Sequence, residues 1–114
     1  MMYSIFMLKR CDETTDKLFM PYKWTMDHGG INLNEYETVY TGTIEPEETV
    51  SETLESIFRI FNLDRPQDYT GRTMSVSDLV ALEETGTYFC DSCGFKPIDA
   101  TSMHVSTKLP LVKG

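Results

Sequence analysis

The sequence has no long hydrophobic run and few cations. No stretch reaches the roughly 18 consecutive apolar residues of a membrane-spanning helix, so no membrane segment is predicted. The first residues are apolar ahead of a basic pair and lack a small-residue cleavage site, which favours a first strand over a signal peptide. Lys and Arg total 10 against 18 Asp and Glu, giving a formal net charge of -8. Because an acidic surface repels phosphate, direct binding of duplex DNA is not expected. The acidity fits either the solubility of a small domain, which we favour, or a partner that is itself basic.

Cysteine is scarce, and its three copies are an odd number, which favours a reducing compartment and a cytoplasmic location. Cys90 and Cys93 have the C-x-x-C spacing of a zinc or thiol-exchange site. No second pair supplies the remaining zinc ligands, and the pair ends a predicted strand instead of beginning a helix. We therefore interpret both cysteines as small apolar packing residues and predict no metal and no cofactor.

Catalytic signatures are also missing, since the chain has no G-x-S-x-G, no H-E-x-x-H and no phosphate loop. Neither of the two histidines, His28 and His104, is placed near a Ser or Cys in a way that implies a catalytic pair. One enzymatic alternative is a metal held by Asp68, Asp78 and Asp91, since carboxylate oxygens suit hard divalent cations. We favour turn and capping roles for Asp68 and Asp78, and predict that the protein is not an enzyme.

The regular patterns predict one domain, as 114 residues suit a single core. Residues 2–9 and 36–44 read as strands. Thr49 and Glu52 match a capping box, and an apolar stripe at helical spacing follows, which predicts a helix over residues 50–61 that ends at Asn62. Pro66 prevents its continuation.

Residues 79–90 read as a hairpin, with Gly86 in the turn. Gly94 breaks the pattern, and residues 101–114 form a tail that is an edge strand or loose. A short helix opening at Pro21 carries two aromatics expected to be partly exposed, Tyr22 and Trp24. The predicted fold class is α+β: a small, mainly antiparallel sheet of four to five strands with one principal helix packed on it.

Two sequence blocks carry a family resemblance. "DYTGRTMSVSD" begins at Asp68 and "YFCDSCGF" begins at Tyr88, and both resemble the signature of the YodL-like family. Weaker pieces upstream, such as "LFMPY" and "EYETVYTG", occur in the order that this family shows. The resemblance covers about residues 3–98, so the domain is placed at residues 1–100. Cys90 and Cys93 stand where the family usually has aliphatic or aromatic residues, in line with a packing role.

The resemblance implies an interaction module. YodL-like domains occur in Firmicutes and their mobile elements, often beside anti-restriction modules, and one member resembles an antagonist of the actin-like cell-shape protein MreB. No catalytic residues are implied. Two roles are open for the first block. It either returns the chain to the sheet, which we favour, or forms part of a binding surface. The residues concerned in the two blocks are Asp68, Tyr69, Arg72, Asp78 and Asp91, with Arg72 expected to pair with Asp78 or Asp91.

These observations lead to a prediction about the partner. The leading hypothesis is an inhibitor from a mobile element that blocks a host defence protein of the CRISPR or restriction type, whose DNA channel is basic. The alternatives are an MreB antagonist and the metal-dependent enzyme described above. The carboxylates predicted to face the partner surround the start of the helix: Glu45, Glu47, Glu48, Glu52 and Glu55.

Overall fold

The computed structural model describes residues 1–11 and 14–98. Its centre is an antiparallel sheet of five strands in the order β2-β1-β3-β4-β5, which confirms the predicted fold class. In the described residues, two α-helices and two short 3-10 helices (Thr15–Lys17 and Leu33–Glu35) accompany the sheet. None of these helices is long and apolar enough to cross a membrane. The elements in chain order are β1 (Met2–Leu8), α1 (Tyr22–Asp27), β2 (Tyr36–Thr43), α2 (Val50–Leu63), β3 (Leu79–Leu82), β4 (Gly86–Cys90) and β5 (Phe95–Ile98).

β1 lies inside the sheet because it is apolar on both faces. Tyr3, Ile5 and Met7 belong to the core on one side of the sheet, and Phe6 and Leu8 belong to the core on the other side. None of the five is more than 5% exposed. A strand buried on both faces has a continuous apolar run instead of an alternating one, and "MYSIFML" is such a run.

α2 covers the first face of the sheet and begins where the sequence predicts. The Glu52 N–H donates to the Thr49 hydroxyl at 3.1 Å, and the Thr49 N–H donates to the Glu52 carboxylate at 3.2 Å. A cap of this kind stabilises a helix by about 1 kcal/mol. The buried stripe of Leu54, Ile57 and Phe61 then packs against β1 and β3.

The segment between β1 and β2 covers the opposite face, a second layer that the sequence patterns do not predict. Tyr22 and Met26 of α1 pack on this core, and the Tyr22 ring meets Phe89 edge-on at 5.5 Å. Gly29 and Gly30 follow the end of α1, with φ values of 104° and 80° that glycine adopts without steric cost. The sheet is therefore buried between two layers.

The strand register defines two ends of the sheet. Met2 pairs with Thr43, and Leu82 pairs with Gly86 at the same end, which we call the Met2 end. The opposite end, where β1 finishes and β3 begins, we call the Leu8 end. β2 and β3 flank β1 on either side, so the chain that includes α2 crosses over the sheet between them.

Three sequence predictions need correction. α2 does not stop at Asn62 but continues to Leu63, because the Asp64 N–H still closes a helical bond on the Ile60 carbonyl at 2.9 Å. The break at Gly94 is a turn into a fifth strand, and Pro97 fits there since β5 is an edge strand with one unpaired side. β1 and β2 each end one residue earlier than predicted. The predicted tail, residues 101–114, lies outside the described residues.

Candidate functional site

The Asp78 carboxylate is the centre of the first signature block. It is fully buried and accepts from Arg72 Nη2 at 2.6 Å, from Arg72 Nη1 at 3.1 Å and from the Ser75 N–H at 2.7 Å. Arg72 Nη1 also donates to the Thr73 carbonyl at 2.8 Å. Burial raises the pKa of Asp78 to about 6, although the bonds from Arg72 and Ser75 oppose the rise. Of the two partners predicted for Arg72, the structure selects Asp78.

Tyr69 and Gly71 close this loop over the sheet. Tyr69 is 7% exposed, and its hydroxyl donates to the Arg72 carbonyl at 2.5 Å. A Cβ atom on Gly71 would lie 2.5 Å from that hydroxyl oxygen, so any larger residue there would displace the ring. Tyr69 is therefore a structural residue and not part of an exposed surface. Its neighbour Asp68 is exposed, and its carboxylate accepts from the Tyr40 hydroxyl at 3.1 Å.

The second signature block joins α1 to the turn between β4 and β5. Asp91 Oδ1 accepts from the N–H groups of Tyr22 at 3.0 Å and Ser92 at 2.8 Å. The Asp91 N–H donates to the Gly94 carbonyl at 2.9 Å. Gly94 has a φ of 82°, which this tight turn requires. The half-buried Asp91 thus holds backbone in place on two elements.

Backbone strain lies beside the buried ion pair. Phe19 and Ser77 are non-glycine residues with φ values of 65° and 84°, a region that bulky side chains rarely adopt. The Phe19 N–H donates to Ser77 Oγ at 3.2 Å, and the Arg72 guanidinium carbon lies 5.1 Å from the centre of the Phe19 ring. The Tyr36 hydroxyl donates to the Ser77 carbonyl at 2.7 Å. The first block therefore locks three segments together at the Leu8 end.

The two aromatics expected to be partly exposed, Tyr22 and Trp24, are half-buried. Tyr22 packs against the core that contains Phe6 and Phe89. The Trp24 ring stacks on His28, with the ring centres 3.9 Å apart. Phe19, at 44% exposure, lies further into solvent. The sequence did not predict that Phe19 is exposed, because an apolar "LFM" run does not indicate which residue faces solvent. The positive φ of Phe19, which accompanies its outward position, is visible only in the folded structure.

The three aspartates do not form the metal cluster that the sequence allowed. Within residues 1–11 and 14–98, no three His, Cys, Asp or Glu side chains gather as metal ligands would. Asp78 is bound by Arg72, Asp68 by Tyr40, and Asp91 by backbone N–H groups. Only Asp78 has the predicted local role, because it accepts from the nearby Ser75 N–H, whereas Asp68 accepts from the distant Tyr40 side chain and so does not cap nearby backbone.

The two cysteines of the second block have different environments. Cys90 is 2% exposed at the end of β4, and burial raises the pKa of its thiol to about 12. Its predicted packing role is therefore confirmed. Cys93 lies in the turn before Gly94 and is exposed, so the packing role predicted for it is wrong. A turn residue outside both cores has no apolar surface to pack against.

The five carboxylates predicted around the start of α2 are all exposed. Within the described part of the chain, none of them forms an ion pair. Glu52 is committed to the capping box, and Glu47 accepts a long bond from the Ser56 hydroxyl at 3.4 Å. No Lys or Arg occurs between Lys23 and Arg59, so this stretch carries no basic residue to offset its charge.

The tertiary structure adds two carboxylates that sequence reasoning assigned only to a turn. Glu83 and Glu84 join β3 to β4 at the Met2 end. The Met2 N–H donates to the Glu83 carboxylate at 2.9 Å, and the terminal amine donates to the Ile44 carbonyl at 3.0 Å. This turn therefore lies at the same end of the sheet as Glu45. We call the following set the acidic surface: Glu45, Glu47, Glu48, Glu52, Glu55, Glu83 and Glu84.

Comparison with known proteins identifies the family of this chain. The chain is a small α+β domain whose two signature blocks build one buried, hydrogen-bonded junction at the Leu8 end. The profile of the YodL-like domain matches residues 2–100, and the chain belongs to the YodL-like domain family. A search of curated proteins found no match, and a search of solved structures also found none.

Proposed function

We propose that this domain is a non-enzymatic inhibitor from a mobile genetic element. It binds a host defence protein that processes nucleic acid, of the CRISPR or restriction type, and acts in the cytoplasm. The observation that carries the proposal is the acidic surface, whose carboxylates are exposed apart from the half-buried Glu83 and have no ion-pairing partner among the described residues. Such carboxylates are available to a basic surface on another molecule.

The physical basis is electrostatic competition with nucleic acid. Enzymes that hold DNA do so in channels lined by Lys and Arg, which attract any surface of sufficient negative charge. A field of one sign also speeds association, an effect that salt weakens because the Debye length is about 10 Å at 0.1 M. The positive pole of α2 lies at the same place and offsets part of the repulsion among its first carboxylates.

The test is a pull-down of host defence and cytoskeletal proteins from lysate at two salt concentrations, read by mass spectrometry. The expected result is capture of a DNA-processing effector at low salt and its loss at high salt. The purified effector is then assayed for DNA cleavage with and without the domain. Inhibition that the acidic surface causes must disappear in the double variant Glu45→Lys, Glu48→Lys.

A matched control uses the same charge change elsewhere. Asp16 and Asp64 are also exposed, and the double variant Asp16→Lys, Asp64→Lys alters the net charge by the same amount. Glu52 is left unchanged in both variants because it caps α2. Equal inhibition by both variants would rule out a role for the acidic surface. Capture of MreB, together with cell rounding on expression, would replace the proposal with the cell-shape antagonist.

A further inference from the structure

A groove at the Leu8 end is a second candidate binding site, at the other end of the sheet from Glu45. Its volume is about 700 Å³, within the range of about 300–1,000 Å³ found for ligand sites. One wall is the end of β1 and the residues after it, the second is β2, and the third is the loop of the first signature block. The lining residues that matter below are Met7, Lys9, Arg10, Val39, Tyr69 and Arg72.

The floor of the groove is apolar and firm. Met7 and Tyr69 belong to the core under α2, and Val39 is half-buried beside them. Val39 is also the extra residue of a β-bulge, since Ile5 pairs with Tyr40 and the next residue of β1 pairs with Thr38. Bulges redirect a side chain at a sheet edge, and here the redirected residue contributes to the groove.

The rim carries positive charge in a protein whose net charge is -8. Lys9 and Arg10 are exposed, and the side chains of both lack a partner among the residues that the structure describes. Arg72 contributes less, because its donors are engaged with Asp78 and Thr73. Glu37 is the carboxylate of the described lining, so two uncommitted cations face one anion.

The rim is fixed by backbone bonds and not only by side chains. The Lys9 N–H donates to the Glu35 carbonyl at 2.8 Å, and the Thr14 hydroxyl donates to the Lys9 carbonyl. On the opposite wall, the contact between Tyr69 and Gly71 sets the loop position. A site that is already ordered loses less entropy when a ligand binds, which raises affinity.

We propose that this groove binds a short acidic peptide segment of a partner protein, with its carboxylates on Lys9 and Arg10 and an apolar side chain over Met7 and Val39. Charge complementarity selects an acidic ligand over a basic one. The apolar floor and the volume select a peptide over a free anion, which would leave both unused. The site is separate from the acidic surface, so it does not depend on the proposed function.

The experiment titrates the isotope-labelled whole chain with three blocked pentapeptides while amide chemical shifts are recorded. The peptides are Glu-Leu-Glu-Phe-Glu, its Gln analogue Gln-Leu-Gln-Phe-Gln and its Lys analogue Lys-Leu-Lys-Phe-Lys. The expected result is saturable binding of the acidic peptide alone, with shifts at residues 7–11, 37–39 and 69–72. Reversing both cations in Lys9→Glu, Arg10→Glu should weaken that binding about tenfold or more, because each exposed pair contributes up to about 1 kcal/mol and its reversal adds repulsion.

The matched control is Lys96→Glu, an exposed cation on β5 that is not part of the groove lining. This variant should bind the acidic peptide as the parent chain does. The proposal is overturned if the Lys analogue binds as tightly, if Lys96→Glu weakens binding as much, or if the shifts map outside the groove. It is also overturned if sedimentation shows copies of the chain joined through this groove and the peptide fails to separate them, since the occupant would then be a second copy.

Discussion

Removing Arg72 tests whether the Asp78 ion pair organises the domain. Arg72→Met approximately keeps the length of the side chain and removes its charge. The Asp78 carboxylate, whose side chain is 0% exposed, then has no cation beside it. Breaking a buried pair in this way costs about 3–5 kcal/mol of unfolding free energy. We therefore expect a destabilisation of about 3 kcal/mol at pH 7.

The same pair makes the loss depend on pH. Burial raises the pKa of Asp78 from 3.8 to about 6, so its protonation favours the folded state. That stabilisation is complete below pH 3.8 and is lost as the pH rises through about 6. Arg72→Met removes an interaction that lowers this pKa, so the pKa of Asp78 should rise further in the variant and its carboxyl should bind a proton at higher pH. One pH unit above the parent pKa corresponds to about 1.4 kcal/mol, so the destabilisation should be about 1 kcal/mol smaller at pH 4.

The assay is urea unfolding at pH 4, 5, 6 and 7, followed by the fluorescence of Trp24. Asp78→Asn is the reference for the titrating group, because it keeps an acceptor for the Ser75 N–H and has no proton to bind. The stability of the parent chain relative to Asp78→Asn should rise as the pH falls from 7 to 4. A destabilisation by Arg72→Met that is equal at pH 4 and pH 7 would refute the reasoning, as would a pH profile of Asp78→Asn identical to that of the parent.

Two further predictions concern the signature blocks. Gly71→Ala should destabilise the domain by about 1–3 kcal/mol, because the added Cβ overpacks against Tyr69. Gly94→Ala has open space around its Cβ and should cost only the strain of a positive φ, about 1 kcal/mol. Equal losses of stability in urea unfolding would contradict this prediction. A thiol reagent at pH 8 should modify Cys93 quickly and Cys90 only after unfolding, because burial raises the pKa of Cys90 to about 12. Equal rates of modification in the folded chain would contradict this prediction and show that Cys90 is accessible.

Local patterns in the sequence were sufficient for most of the elements. The Thr49–Glu52 capping box and the apolar stripe behind it place α2, since both depend on residues a few positions apart. The hairpin formed by β3 and β4 follows in the same way from two β-forming runs and a glycine turn. The resemblance of the two signature blocks was enough to indicate the family.

Contacts between distant residues decided what the sequence left open. Whether Arg72 binds Asp78 or Asp91 depends on which carboxylate the folded loop buries, and the pattern of residues is compatible with both. The second layer over the sheet also has no local signal, because its residues pack only once β1 and β4 are joined through β3 into one sheet.

The candidate surfaces show the same division. The amino-acid sequence by itself shows that the protein is acidic and that carboxylates gather around the start of α2. The register of β1 with its neighbours brought Glu83 to the end of the sheet where Glu45 lies, and placed Lys9 and Arg10 at the opposite end. Charge is a property that each residue brings to the chain, whereas the placement of the acidic surface at one end of the sheet and of Lys9 and Arg10 at the other arises only from strand pairing.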